Sequence, residues 1–274
     1  MTLEDNAGDV IRKSRMMFGI PPEQSAAAGK LTPAQLEAFE QSGTAPAGVD
    51  WAGLGGKLEV HPDKLRRLAE GWLPKPVDTS VWREFRMLTS TGEGMSVNCF
   101  LVWDEVTREA ALFDTGFDAG AIFAVLEENQ LRLEHIFITH SHGDHVAALE
   151  AVRNRFPKAR LHTSSASAPP QHRNRANDFI HLGSLRITNR ETPGHADDGV
   201  TYVVGNFPDD APNIAVVGDA LFAGSMGGAP GKGALAKQKV RDQILSLPGP
   251  TLVCPGHGPL TTVGEQLEAN PFFR

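Results

Sequence analysis

Thr139-His140-Ser141-His142-Gly143-Asp144-His145 gathers four metal-competent side chains into six residues. In an extended segment His140 and His142, two apart, point to the same side. Gly143 permits a turn that a side chain would hinder. Asp144 and His145, where the chain enters the next helix, then face the same cavity from another direction. One short stretch can therefore serve two adjacent ions, and neutral imidazole and carboxylate suit zinc and comparable divalent metals. Three imidazoles crowded beside an aspartate bring no packing benefit, so chemistry is the better reason for them. The apolar run His135-Ile136-Phe137-Ile138-Thr139 ahead of them reads as a buried strand.

Working outward, the same arrangement recurs. His195 in Thr192-Pro193-Gly194-His195 follows an apolar run at 184–188. Asp219 in Gly218-Asp219-Ala220-Leu221-Phe222 follows Ile214–Val217, and His257 in Cys254-Pro255-Gly256-His257 follows Thr251–Val253. Asp114 in Asp114-Thr115-Gly116 follows Ala110–Phe113, where Asp-Thr-Gly is also simply a good turn. Ligating residues thus stand where a strand ends and a Gly-bearing loop begins, a placement that lets loops on one rim of a sheet converge. Further strands are expected at 81–88, 97–103 and 200–204. Helices are expected after a cap at Asp118, through Leu149, Val152 and Phe156, and through Val240, Ile244 and Leu247. Strands mixed with helices make an α/β layered domain.

Residues 1–81 read differently. Helical stretches there are broken by Pro21, Pro22, Pro33, Pro46, Pro62, Pro74 and Pro76, with Thr32 expected as an N-cap. Trp51 and Trp72 need burial, so this segment is expected to pack on the domain at 82–274 as a helical and loop extension.

Composition narrows the function. In 274 residues, 26 Lys and Arg stand against 33 Asp and Glu, for a net charge of −7, which disfavours a nucleic-acid partner. No apolar run approaches a membrane span, the start is acidic rather than signal-like, and two cysteines fit a reducing compartment. The expectation is a cytoplasmic protein with a small-molecule substrate; the sequence fixes no oligomeric state. Cys99 and Cys254 read as core, and His61, His135, His162, His172 and His181 fall outside the ligand pattern. Pro230-Gly231-Lys232-Gly233 is not a phosphate loop, since Met226 and Gly233 occupy positions that need Gly and Ser or Thr. Ala223-Gly224-Ser225-Met226-Gly227 lacks the first Gly of a nucleophile elbow. Lys232, Lys237 and Lys239 read as the solvated face of a helix, with Lys232 within reach of an anionic substrate.

His140-x-His142-x-Asp144-His145 followed by His195, Asp219 and His257 resembles the metallo-β-lactamase superfamily across about 82–274. The resemblance implies a four-layer αβ/βα sandwich with a di-metal site. His140, His142 and His195 would hold one ion, Asp144, His145 and His257 the other, and Asp219 would bridge them. Asp114 would orient a ligand, and Asp144 would double as the catalytic proton acceptor. The implied cofactors are two divalent ions, zinc first, with iron or manganese as alternatives. Gly218-Asp219-Ala220-Leu221-Phe222-Ala223-Gly224-Ser225-Met226-Gly227 and Pro255-Gly256-His257-Gly258-Pro259, with Glu265 and Asn270-Pro271-Phe272, resemble the glyoxalase II-like hydrolases (hydroxyacylglutathione hydrolase-like). There are departures: Gly228 stands where an Arg is frequent, and the C-terminal helical region that binds glutathione in those enzymes is not expected here. The implied activity is a metallo-hydrolase whose di-metal-bound hydroxide cleaves an ester, thioester or lactone. The alternatives are a persulfide dioxygenase-like oxidoreductase, with one iron on His140, His195 and Asp219, and a lactonase, against which Phe222 replaces a usual Tyr. The pocket loops are expected at Met95–Asn98, Ala166–Asn177 and Gly224–Lys232.

Overall fold

Every strand of the centre alternates between two apolar surfaces, and that alternation builds the layers. A computed structural model describes residues 2–175 and 178–273. Strands β1 (Phe85–Gly92), β2 (Met95–Trp103), β3 (Glu109–Phe113), β4 (Arg132–Phe137) and β5 (Arg160–His162) form one sheet in that order. β1 to β3 run antiparallel, and β3, β4 and β5 run parallel. β6 (Phe179–Leu182), β7 (Leu185–Glu191), β8 (Val200–Gly205), β9 (Ile214–Gly218), β10 (Leu252–Pro255) and β11 (Thr261–Thr262) form the second sheet, in the order β11-β10-β9-β8-β7-β6. Only β9 and β10 are parallel in it.

Between the sheets lie Phe100, Val102, Ala111, Phe113 and Phe137 from one side and Tyr202, Ile214, Val216, Leu252 and Cys254 from the other. Phe113 and Phe137 stack at 5.0 Å. The opposite residues of the same strands, Leu101, Ala110, Leu112 and Ile136, pack under α6 (Gly120–Glu128) and α8 (Leu149–Arg155). Ala215, Val217 and Val253 pack under α9 (Gly233–Gln243) and α10 (Val263–Ala269). Burial on both faces explains why these strands read as continuous apolar runs. Both cysteines lie in this core. Asp104, after β2, accepts from the amide and hydroxyl of Ser184, before β7, at 2.9 and 2.7 Å and so ties the sheets together.

The first helices, α1 (Ala7–Phe18), α2 (Pro22–Ala28), α3 (Pro33–Ser42), α4 (Trp51–Lys57) and α5 (Pro62–Ala69), share the core of the second sheet's outer face through Val10, Ile11, Leu54, Leu58 and Leu65. Thr32 caps α3 in a capping box with Gln35. Buried Lys64 donates to the carbonyls of Leu267 and Phe273 at 2.7 Å, and Lys237 donates to Glu59 O at 2.5 Å. Lys237 thus pins the extension rather than forming a free solvated face. α7 (Gly143–Val146), between β4 and α8 in the chain, is a single turn that carries Asp144 and His145.

Several elements differ from expectation. The strand expected at 81–88 is a short 3-10 turn at Thr79–Val81 followed by β1 at Phe85–Gly92. Asp78 caps the turn, Trp82 Nε1 is drawn to Pro212 O at 2.7 Å, and the polar Thr89-Ser90-Thr91 pairs with β2. α6 starts one residue after Ala119, with Asp118 accepting from the Gly120 amide. α9 ends at Gln243, so Ile244 and Leu247 lie beyond it. The edge strands β6 and β11, of four and two residues, are too short to be read.

Candidate metal centre

Loops leaving the C-terminal ends of β3, β4, β7, β9 and β10 deliver Asp114, His140, His195, Asp219 and His257, and the single-turn helix α7 adds Asp144 and His145. His140, His145, Asp219 and His257 are buried, Asp144 and His195 partly so, and His142 is exposed. The structure brings the seven anticipated donors into three overlapping groups, in each of which the ligand atoms lie within 4.8 Å of one another: His140, His142, His195; His140, His145, Asp219; and Asp144, His145, His257. His142 Nδ1 lies 3.1 Å from His140 Nε2 and 3.0 Å from His195 Nε2. Asp144 Oδ2 lies 3.1 Å from His257 Nε2 and 3.5 Å from His145 Nε2. The Asp219 carboxylate sits between the sets. Its Oδ1 is 3.2 Å from His145 Nε2, and its Oδ2 is 3.5 Å from Nε2 of both His195 and His257.

Four of the five imidazoles are fixed through Nδ1. His145 donates to Asp114 Oδ2 at 2.8 Å, His195 to Gly228 O at 3.0 Å, and His257 to Ser96 O at 2.6 Å. Thr139 gives its hydroxyl proton to Asp114 Oδ2 at 2.7 Å, so its oxygen accepts from His140 Nδ1 at 3.1 Å. Each of these rings therefore turns Nε2 inward, which is how a protein prepares a histidine to coordinate. His145 Nε2 and Asp219 Oδ1 are buried without a hydrogen-bond partner. Such a pair is costly to bury unless something positive lies between them.

Electrostatics agree with that demand. Burial, then the neighbouring His145, push His140 down to about 2, so its ring is neutral. Burial opposes charge on His145 as well, yet Asp114 and Asp219 hold it up to about 11. Against the same cost of burial, Asp219 lifts His257 to about 9. Asp219 itself is held well below the usual carboxylate range, since contacts to His145 and His257 outweigh its burial. A site that keeps Asp219 ionised and draws protons onto His145 and His257 when no ion is bound calls for positive charge, a demand that divalent ions meet by displacing those protons.

Backbone shape is part of the centre. Gly218, at φ 51°, turns the chain from β9 toward Asp219 where a side chain would strike Thr139. Asn98, expected in a pocket loop, lies instead within β2. It holds the His257 loop through Nδ2 to the carbonyls of Pro255 at 3.1 Å and Gly258 at 3.0 Å, with its amide on Gly256 O at 2.7 Å. Ser96 and Gly228 act through carbonyls, which leave no mark in residue type. Beside His142 and His195 opens a groove of about 460 Å³, lined by Ser141, Ser165, Ser167, Asp198 and Lys232, the last paired with Asp197. Of the expected pocket loops, the groove takes Ala166, Ser167 and Lys232, with Ser165 just outside them. Ser225 and Met226 are buried in the core instead. Gln171, Arg173, Asn174 and Arg175 line a separate cavity beside His162 and Tyr202. Residues 176–177 of the expected loop lie outside the described residues.

Residues 92–257 match the metallo-beta-lactamase superfamily, and the chain belongs to it. It is similar to the hydroxyacylglutathione hydrolase GloC of Haemophilus influenzae, at 25% identity over 201 residues, covering 64% of this chain and 92% of that protein. Among solved structures it is similar to ETHE1 from Myxococcus xanthus, at 30% identity and a TM-score of 0.59, covering 68% of this chain and 83% of that one. It is also similar to TTHA1623, solved in a di-iron-bound form, at 26% identity and a TM-score of 0.52, covering 68% of this chain and all of that one. The fold matches the two-sheet sandwich of this superfamily, with the helical extension added at the N-terminus. Among the described residues no helix is long and apolar enough to cross a membrane.

Proposed function

We propose that this protein is a binuclear metallo-hydrolase that cleaves an ester, thioester or lactone in a small molecule. The observation that carries the reading is the pair of ligand sets, His140-His142-His195 and Asp144-His145-His257, joined by the Asp219 carboxylate. Zinc is the first choice for both, with iron or manganese as alternatives.

Bound ions in such a pair would acidify water to near neutrality and polarise a carbonyl. The chain's own residues do the rest. Nδ1 anchors fix four rings, so the donors need not reorganise when substrate arrives. Asp144, reaching His257 Nε2 at 3.1 Å and partly exposed, is placed to accept a proton beside the second set. The groove offers the hydroxyls of Ser141, Ser165 and Ser167 and the Lys232 ammonium as polar contacts for the substrate. Hydroxyacylglutathione hydrolase activity in a relative spanned over 92% of its length supports testing thioesters first.

Purified protein reconstituted with zinc, and separately with iron, should hold two ions per chain and hydrolyse at least one member of a thioester, ester and lactone panel. One iron per chain with oxygen consumption and no hydrolysis would replace this reading with the persulfide dioxygenase-like one.

A further inference from the structure

The loop from Asp219 to Gly228 carries two parts of the centre. It holds the Asp219 carboxylate and the Gly228 carbonyl that orients His195, and Gly227 N closes it onto Asp219 O at 3.0 Å. Midway, Phe222 and Ser225 pair their backbones in a tight turn, at 3.0 and 3.2 Å. One side of this turn is held by α10 and the residue after it: Gln266 Oε1 accepts from Gly224 N at 2.9 Å, and Asn270 Nδ2 donates to Ser225 O at 2.7 Å.

The other side is held by the N-terminal extension. Asp5, 4% exposed, accepts the Ser225 hydroxyl at 2.6 Å and the Lys13 ammonium at 2.5 Å, both on Oδ2. Lys13 also donates to Met226 O at 3.3 Å and lies 5.0 Å above the Phe222 ring, which in turn meets the His257 ring edge-on at 5.9 Å. Glu4 runs alongside the His257 loop, with its amide 3.0 Å from where a side chain on Gly258 would begin. A carboxylate removed from water must keep its partners, so these contacts set the loop's position rather than decorate it.

We propose that the N-terminal extension is a working part of the metal centre, with Asp5 and Lys13 as positioning residues for the loop that carries Asp219 and orients His195. The inference rests on the binuclear reading above. It gives the extension a role that stability alone does not require: it tunes how tightly and in what geometry ions are held.

The test is cobalt and zinc binding by the full chain. Asp5→Asn and Ser225→Ala should each weaken zinc, measured by chelator competition, by about tenfold or more, the range typical of groups that orient ligands. Both should also alter the visible absorption spectrum of the cobalt-loaded protein. Arg15→Gln is the control. It breaks the bidentate Arg15–Glu40 pair, at 2.7 and 2.8 Å, inside the extension, and should lower Tm while leaving zinc affinity and the cobalt spectrum as in wild type. Asp5→Asn with wild-type affinity and spectrum, at a Tm lowered as in Arg15→Gln, would overturn the inference and reduce the extension to a stabilising layer. Wild-type protein that takes up neither metal would overturn the binuclear reading itself, and the inference with it.

Discussion

Asp114 Oδ2 accepts the Nδ1 proton of His145 at 2.8 Å, and it does so from a left-handed backbone at φ 56°. The same carboxylate takes the amide and the hydroxyl of Thr139, both at 2.7 Å, so a single buried aspartate orients His145 directly and His140 through Thr139. Aspartate tolerates that backbone conformation, which makes the Asp-Thr-Gly turn and the ligand-orienting role one feature. Asp114→Asn keeps the volume but sets an amide N–H against either the ring N–H of His145 or the donors of Thr139. We expect metal affinity to fall about 10- to 100-fold, measured by chelator competition. Affinity equal to wild type would show that the ring needs no such anchor.

Asp219 lies within 3.5 Å of histidines from both proposed ligand sets, and His140 belongs to two of the three donor groups. Asp219→Ala and His140→Ala should each lower the metal content of purified protein and abolish hydrolysis of whichever substrate the wild type accepts. Full activity in either variant would sink the assignment.

Gly256 leaves the room in which His145 and Asp219 meet. A methyl there would fall 2.5 Å from His145 Cε1 and closer still to Asp219 Oδ1. The surroundings cannot yield cheaply, because Gly256 N is bound to Gly218 O at 2.9 Å and Gly256 O to the Asn98 amide at 2.7 Å. Gly256→Ala should cost about 1–3 kcal/mol of stability, as overpacking does, and should reduce metal uptake in protein that still folds by circular dichroism. Unchanged uptake at a wild-type Tm would mean the cluster is looser than its contacts imply.

The fold was legible where a strand has two buried faces: β3, β4, β9 and β10 each announce themselves as apolar runs ending at Asp114, His140, Asp219 and His257. The gathering of seven donors was legible because His and Asp at strand ends have few packing reasons to be there. What stayed hidden works through backbone or through distance. The Ser96 and Gly228 carbonyls and the close approach at Gly256 leave no signature in residue type. Asp5 and Ser225 are 220 residues apart, and nothing local in either stretch points to the other. β6 and β11 are too short to read, four and two residues at the sheet edges, and Phe179–Leu182 pairs with β7 alone.

Two of the five histidines outside the ligand pattern, His135 and His162, meet across β4 and β5 with Nδ1 and Nε2 2.9 Å apart, so one ring donates and the other accepts. A second proton on the pair would set two donors face to face. Burial, then His135, Arg160 and His172, bring His162 down to about 4, and burial with Arg160 lowers His135 against the opposing Glu134 and Glu109. An unfolded histidine takes its proton near pH 6.5, so between there and about 4 the unfolded chain binds more protons than the folded one, and stability rises with pH. The contribution is fully present above pH 6.5 and is lost as the pH falls through about 4. Because both rings are partly exposed, we expect about 1–2 kcal/mol from it rather than the full value of the shift. His162→Phe keeps the ring stacked on Phe137, now 4.6 Å away, and removes the titrating nitrogen. With metal stripped by a chelator, urea denaturation of this variant should depend less steeply on pH between 4 and 6.5 than that of the wild type. Parallel slopes would place the acid sensitivity elsewhere in the molecule.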